Sequence, residues 1–184
     1  MARLNPVNVD AAQGKAKDLL DGVKKAIGAT PNLIKTFALS PAVLEGYLGF
    51  SGALKGASLN AELQEQIALA VAGLNGCDYC ASAHTAIGGS LGVSADELAL
   101  NLRGAASDPA VDVVLKFARS IVETKGFVSD DDIARVRAAG YSDAAIAEVV
   151  AAVALNFFTN TFNHVAGTEI DFPVVRARGE AVAA

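Results

Sequence analysis

Tryptophan is absent, and 184 residues include one methionine, two cysteines and two histidines, so thiol, imidazole and soft-metal chemistry is confined to very few positions. Aromatic residues make up 6% of the chain against 52% apolar, much of it alanine. That balance excludes an aromatic-rich core and favours close packing of helix on helix. Basic clusters are missing as well. With a formal net charge of −5 and no run of Lys or Arg, the chain lacks the positive patch that phosphate neutralisation requires, which sets nucleic acid aside as a partner. No apolar stretch of signal-peptide length follows Met1. The most apolar run, 146–158, is interrupted by Glu148 and Asn156 and falls short of the about 20 residues that span a bilayer. It reads as a buried helix. The expectations are a cytoplasmic protein with no membrane segment, hiding apolar surface in a homo-oligomer. Two cysteines without signs of secretion make no disulfide framework, so a lone close-spaced pair reads as redox or metal chemistry.

What is present is a series of helix signals, with no convincing strand. Thr30 and Ser40 each precede a proline, as N-cap residues do when the proline takes the first helical position, and Asp108 precedes Pro109 in the same way. Ser94 followed by Glu97 has the spacing of a capping box. Ser129 ahead of Asp130, Asp131 and Asp132, and Ser142 ahead of Asp143, supply caps and the negative charge that a helix start favours. The pattern predicts helices over 11–27, 31–38, 41–55, 61–74, 77–91, 95–103, 109–124, 130–139 and 142–165, then an irregular tail. The fold expected is all-α: one helical-bundle domain over 1–184, without a sheet, with its redox core at 55–105. In 61–74, Leu63, Ile67, Val71 and Leu74 share one face while Ala68, Leu69 and Ala72 line another. That helix should be central.

The chemistry-bearing residues cluster after Asn75-Gly76, a turn signal. Cys77, Cys80 and His84 fall in one stripe of the helix that this turn opens. A cysteine at a helix start meets the positive end of the dipole and free backbone N–H groups, which favour thiolate. Two intervening residues let one sulfur resolve the product of the other as a disulfide. Glu65 lies on the preceding helix. If the chain folds back at Gly76, Glu65 comes within about one turn of His84, at ~1.5 Å rise per residue, giving an acid, imidazole and thiol in line. A zinc-binding or redox-sensing module is the rival reading, because Glu65, Cys77, Cys80 and His84 would supply four zinc ligands, or the cysteine pair a disulfide switch without turnover. A structural site of small buried residues is a second.

Glu65, eleven residues, Cys77-x-x-Cys80, then three residues and His84 resembles the motif of the alkylhydroperoxidase AhpD-like family, within the carboxymuconolactone decarboxylase-like superfamily. The region around Thr30-Pro31-Asn32-Leu33 and Ser40-Pro41 is similar to the lead-in of its peroxidase-related members. The resemblance implies that Cys80 attacks a hydroperoxide to become a sulfenic acid and Cys77 resolves it to a disulfide. Glu65 and His84 would then manage the protons. It further implies no bound cofactor, and an external dithiol reductant such as a lipoylated protein. Some relatives carry histidine immediately before the second cysteine. This chain has Tyr79 there, so a relay through that position is not implied. Superfamily members that act as decarboxylases lack the cysteine pair, which leaves a non-redox lactone enzyme as an alternative only if the cysteines are dispensable. His164 aligns with Ile146, Val153 and Phe157 and is expected to be a core or interface histidine.

Overall fold

In the computed structural model, which describes residues 2–178, the described chain forms nine α-helices and no strand. They are α1 (Gly14–Ile27), α2 (Asn32–Phe37), α3 (Pro41–Leu54), α4 (Ala61–Asn75), α5 (Asp78–Ser90), α6 (Ala95–Leu102), α7 (Pro109–Glu123), α8 (Asp130–Ala138) and α9 (Asp143–Ala166). The all-α class expected from the capping pattern holds. Asp108 accepts from the Ala110 and Val111 amides, Ser142 accepts from Ala145, and Ser129 with Asp132 closes a capping box.

Three local expectations change. The first helix starts at Gly14, because Val9–Ala11 forms a separate 3-10 turn and Ala12 and Gln13 are extended. Pro31, not Thr30, is the N-cap residue of α2. Ser94 does cap Glu97, but the Glu97 carboxylate does not reach back. It accepts from the Ser107 amide at 3.2 Å and from Asn101 instead, since the chain after α6 turns over it.

α4 is the central helix. Leu63 and every residue of 66–72 are buried, and the helix packs on α5, α6, α7 and α9. Gly73 lets α6 come close: a Cβ there would lie 1.9 Å from the Leu102 carbonyl oxygen, so no other residue fits without moving backbone. One apolar cluster joins Ile67 and Val71 of α4 to Val114, Leu115 and Val149. A second joins Leu20, Phe37 and Leu44 to Cys77, Tyr79 and Cys80, with Tyr47 and Phe162 packed against it. The cysteines therefore sit inside a core.

α9 differs from the buried helix expected over 146–158. One face packs on α3, α4, α5 and α7, but the opposite face leaves Val150, Phe157 and Phe158 more than two-fifths exposed. At 24 residues it is also long and apolar enough, by length and composition, to cross a membrane. The sequence reading missed this because it stopped the run at Phe158.

Candidate functional site

The turn at Gly76 organises everything that follows. Its φ of 71° is left-handed, which glycine adopts without cost, and the Cys77 amide closes the end of α4 on the Ala72 carbonyl at 3.0 Å. α5 is thereby folded back along α4. His84 Nδ1 and Glu65 Oε2 meet at 2.7 Å, with both side chains about one-fifth exposed.

Cys77 is the N-cap residue of α5, one position before the helix proper. Its Sγ accepts the Cys80 backbone N–H at 3.3 Å, and the Cys80 Sγ lies 2.7 Å away as a second free thiol. Both residues are buried, at 1% and 2% exposure. From α9, Asn163 Nδ2 donates to Cys80 Sγ at 3.3 Å. Helix α5 thus aligns the two cysteines with His84, and α4 adds Glu65. The four residues singled out in the sequence form two contacting pairs, Cys77 with Cys80 and His84 with Glu65.

Their protons are unequally held. The Cys77 thiol is pulled below its ordinary value, chiefly by the hydrogen bond from Cys80, helped by the Cys80 amide and the charge of His84 and opposed by burial. Cys80 is pushed up, because it is the donor to Cys77, is buried, and faces Cys77's negative charge. Of the two sulfurs, Cys77 is the better placed to carry negative charge, because the Cys80 amide points at it. Burial pulls His84 down, but the charge and hydrogen bond of Glu65 outweigh it and the imidazole is raised. Tyr47 of α3, its phenol pushed up by burial, feels the charges of Glu65 and Cys80 and so faces the same site.

The tail forms a strap over the start of α5. Asp78 accepts from the Ala177 amide at 2.9 Å and pairs with Arg176 at 2.6 Å, and Ser82 Oγ accepts from the Val175 amide at 2.9 Å. Tyr79 Oη accepts from the buried Leu33 amide at 3.1 Å and donates to Asp171 at 3.0 Å. Asp171 also accepts from the Asn32 amide at 2.7 Å. Tyr79 is a latch between α2, α5 and the strap.

Sequence reasoning missed Tyr47, Asn160, Asn163 and Asp171. A signal existed for the asparagines: Asn156, Asn160 and Asn163 recur on one face of an otherwise apolar helix, and all are buried. His164, expected in the core or an interface, does not lie in the core: it is exposed in this chain, since α9 turns its asparagine face inward. Asn160 Oδ1 accepts from Asn75 at 2.9 Å, yet Asn160 Nδ2 and Asn163 Oδ1 are buried without partners. Such atoms cost about 1–3 kcal/mol each. Among the described residues no group of three or more His, Cys, Asp or Glu side chains is arranged to hold a metal, so the four-ligand zinc set is not assembled.

No curated protein matches the chain. Among solved structures it is similar to the AhpD core of an uncharacterized peroxidase-related protein from Ralstonia eutropha JMP134, with 24% identity, a TM-score of 0.81 and 92% of each chain covered. An uncharacterized peroxidase-related protein from Silicibacter sp. TM1040 gives 21% identity and 0.78, over 91% of this chain and 92% of that one. The debrominase Bmp8, in a complex with 2,3,4-tribromopyrrole, gives 20% and 0.78 over 92% and 91%. At these identities the likeness is one of fold. Residues 41–123, which contain Glu65, Cys77, Cys80 and His84, match the carboxymuconolactone decarboxylase family, and the fold around them is AhpD-like.

Proposed function

We propose that the protein is a thiol-dependent peroxidase that reduces organic hydroperoxides through a Cys77–Cys80 disulfide. The carrying observation is a pair of touching sulfurs, Cys80 against Cys77, with the charge of His84 felt at Cys77 and Glu65 hydrogen-bonded to His84. Cys77, as thiolate, takes the proton of Cys80. The Cys80 thiolate attacks the terminal peroxide oxygen, the S–O bond forms as the O–O bond breaks, and the alkoxide leaves with a proton relayed from His84. Cys77 then attacks the sulfenic sulfur, giving the disulfide and water. Two thiols lose two electrons and the peroxide gains them, yielding alcohol and water. An external dithiol, such as a lipoylated protein, restores the thiols by exchange.

The sulfurs are almost wholly covered by the second core, so substrate entry requires side chains such as Tyr47 and Phe162 to part. The exposed apolar face of α9 supports assembly as a homo-oligomer. A second reading is reductive debromination by the same dithiol, favoured by the match to Bmp8 over nine-tenths of both chains.

Intact-mass and free-thiol analysis after one equivalent of an alkyl hydroperoxide tests the proposal. Loss of two thiols in the parent protein is expected, with a trapped sulfenic acid in Cys77→Ser and none in Cys80→Ser. Thiols that survive the peroxide would refute it, and release of bromide from a bromopyrrole under the same conditions would favour the second reading.

A further inference from the structure

Two buried carboxamides converge on Cys80, and the relay described above uses neither. Asn163 Nδ2 already donates to Cys80 Sγ at 3.3 Å. Asn160, one turn earlier on α9, is fully buried, and its Oδ1 is tied to Asn75, which orients its free Nδ2. Asn163 Oδ1 is likewise buried and free. A helix that faced only apolar neighbours would have no need of these groups, and unpaired polar atoms in a core are kept where something else satisfies them. Of the ionisable groups coupled to Cys80, Cys77 as thiolate works against a negative charge on that sulfur, and the phenols of Tyr47 on α3 and Tyr79 on α5 bring no positive charge to it. Donors to Cys80 come from α9.

We propose that Asn163 and Asn160 are catalytic residues whose carboxamide N–H groups solvate the Cys80 thiolate as it forms. In the step that follows, Asn163 Oδ1 and Asn160 Nδ2 become the partners of the sulfenic O–H group. The sequence of bonds is that of the peroxidase reading, on which the second half of this inference rests. When the proton of Cys80 moves to Cys77, the charge that appears on Cys80 is met by Asn163 Nδ2, with Asn160 Nδ2 beside it. When Cys80 takes the terminal oxygen and the alkoxide departs, the new S–O–H group donates to Asn163 Oδ1 and accepts from Asn160 Nδ2. Both orphaned atoms then have partners.

The test needs no peroxide for its first half. In the Cys77→Ser protein the one remaining thiol is titrated by its thiolate absorbance near 240 nm, alone and with Asn163→Leu, which keeps volume but removes the donor. The expected result is a rise in the titration midpoint of at least one pH unit, a tenfold loss of thiolate at a given pH, without loss of helical signal. Should Asn163→Leu fail to fold, the same question is put to the Cys77→Ser protein with side-chain amides labelled by nitrogen-15. The Asn163 and Asn160 NH2 resonances should shift with the midpoint of Cys80, and shift again when the sulfenic acid is formed. An unmoved midpoint, or NH2 resonances blind to the charge on Cys80, overturns the cradle. If the amides follow thiolate formation but the parent protein consumes no hydroperoxide, the peroxidase reading fails and the solvation of Cys80 stands.

Discussion

Replacing Tyr79 with phenylalanine removes one oxygen and tests whether the latch between α2, α5 and the strap is structural. Two hydrogen bonds disappear. The one donated to Asp171 ends on a carboxylate at an exposed residue, where water substitutes readily, so its loss costs well under 1 kcal/mol. The other is decisive, because the Leu33 amide is buried and has no second acceptor in reach of its N–H, and a bare buried donor costs about 1–3 kcal/mol. A destabilisation of about 1.5–3 kcal/mol follows, which in a chain of this size lowers Tm by roughly 3–12 °C. Urea unfolding followed by circular dichroism measures it directly, and the midpoint should fall with the slope unchanged. Asp171→Asn, which spares the Leu33 bond, should cost far less. Equal stability of Tyr79→Phe and the parent protein, or a larger loss in Asp171→Asn, would refute the assignment.

Glu65→Gln removes the charge that holds the His84 imidazole above its ordinary value. The peroxide reaction should slow by about 10²-fold or more if the relay supplies a typical general acid-base contribution, read from single-turnover thiol loss. The pair also ties stability to pH. A raised histidine stabilises the fold fully below its unfolded value near 6.5, and that gain is lost as pH rises through the folded value. The stability difference between parent and Glu65→Gln should therefore shrink as pH rises through that window, as urea titrations at several pH values will show. Cys77 runs the other way: its depressed value stabilises above its unfolded value, and the gain is lost as pH falls through the folded one. In the resting dithiol, mass mapping after brief alkylation at neutral pH should find the label on Cys77 first; label predominantly on Cys80 would contradict the proton distribution. Gly73→Ala drives a methyl group into the Leu102 carbonyl and should cost several kcal/mol in urea unfolding, about 3 kcal/mol or more. Phe157→Glu should shift sedimentation toward a smaller species, if the exposed face of α9 is buried between copies.

Much of this architecture is readable from local chemistry. Asp108, Ser129 and Ser142 mark their helices because a cap acts on the next three residues, and Gly76 marks the fold-back because only glycine enters the left-handed region freely. Once that turn is placed, helix rise alone brings His84 to Glu65, and the two meet as the spacing implied. What escapes is whatever depends on distant segments. Glu97 has the spacing of a capping-box partner, but Ser107 competes for its carboxylate from across a turn. His164 and Asn163 are neighbours, and deciding which of them faces Cys80 requires the rotation of α9 about its axis, which apolar periodicity blurs when both faces are apolar. Tyr79 looks like a departure from a proton relay until the strap that it latches is in view.

The strap also has a consequence for the order in which the molecule can be completed. Asp78 waits for an amide 99 residues further along, and Ser82 for one 93 residues further. While the ribosome is still making α9, the segment around Cys77 and Cys80 can form its helix but has neither its carboxamide neighbours nor its outer tie. The cysteine pair is translated long before the strap that ties down the start of its helix, so the contacts that complete its surroundings are of long sequence separation and can form only after residue 177 has been made.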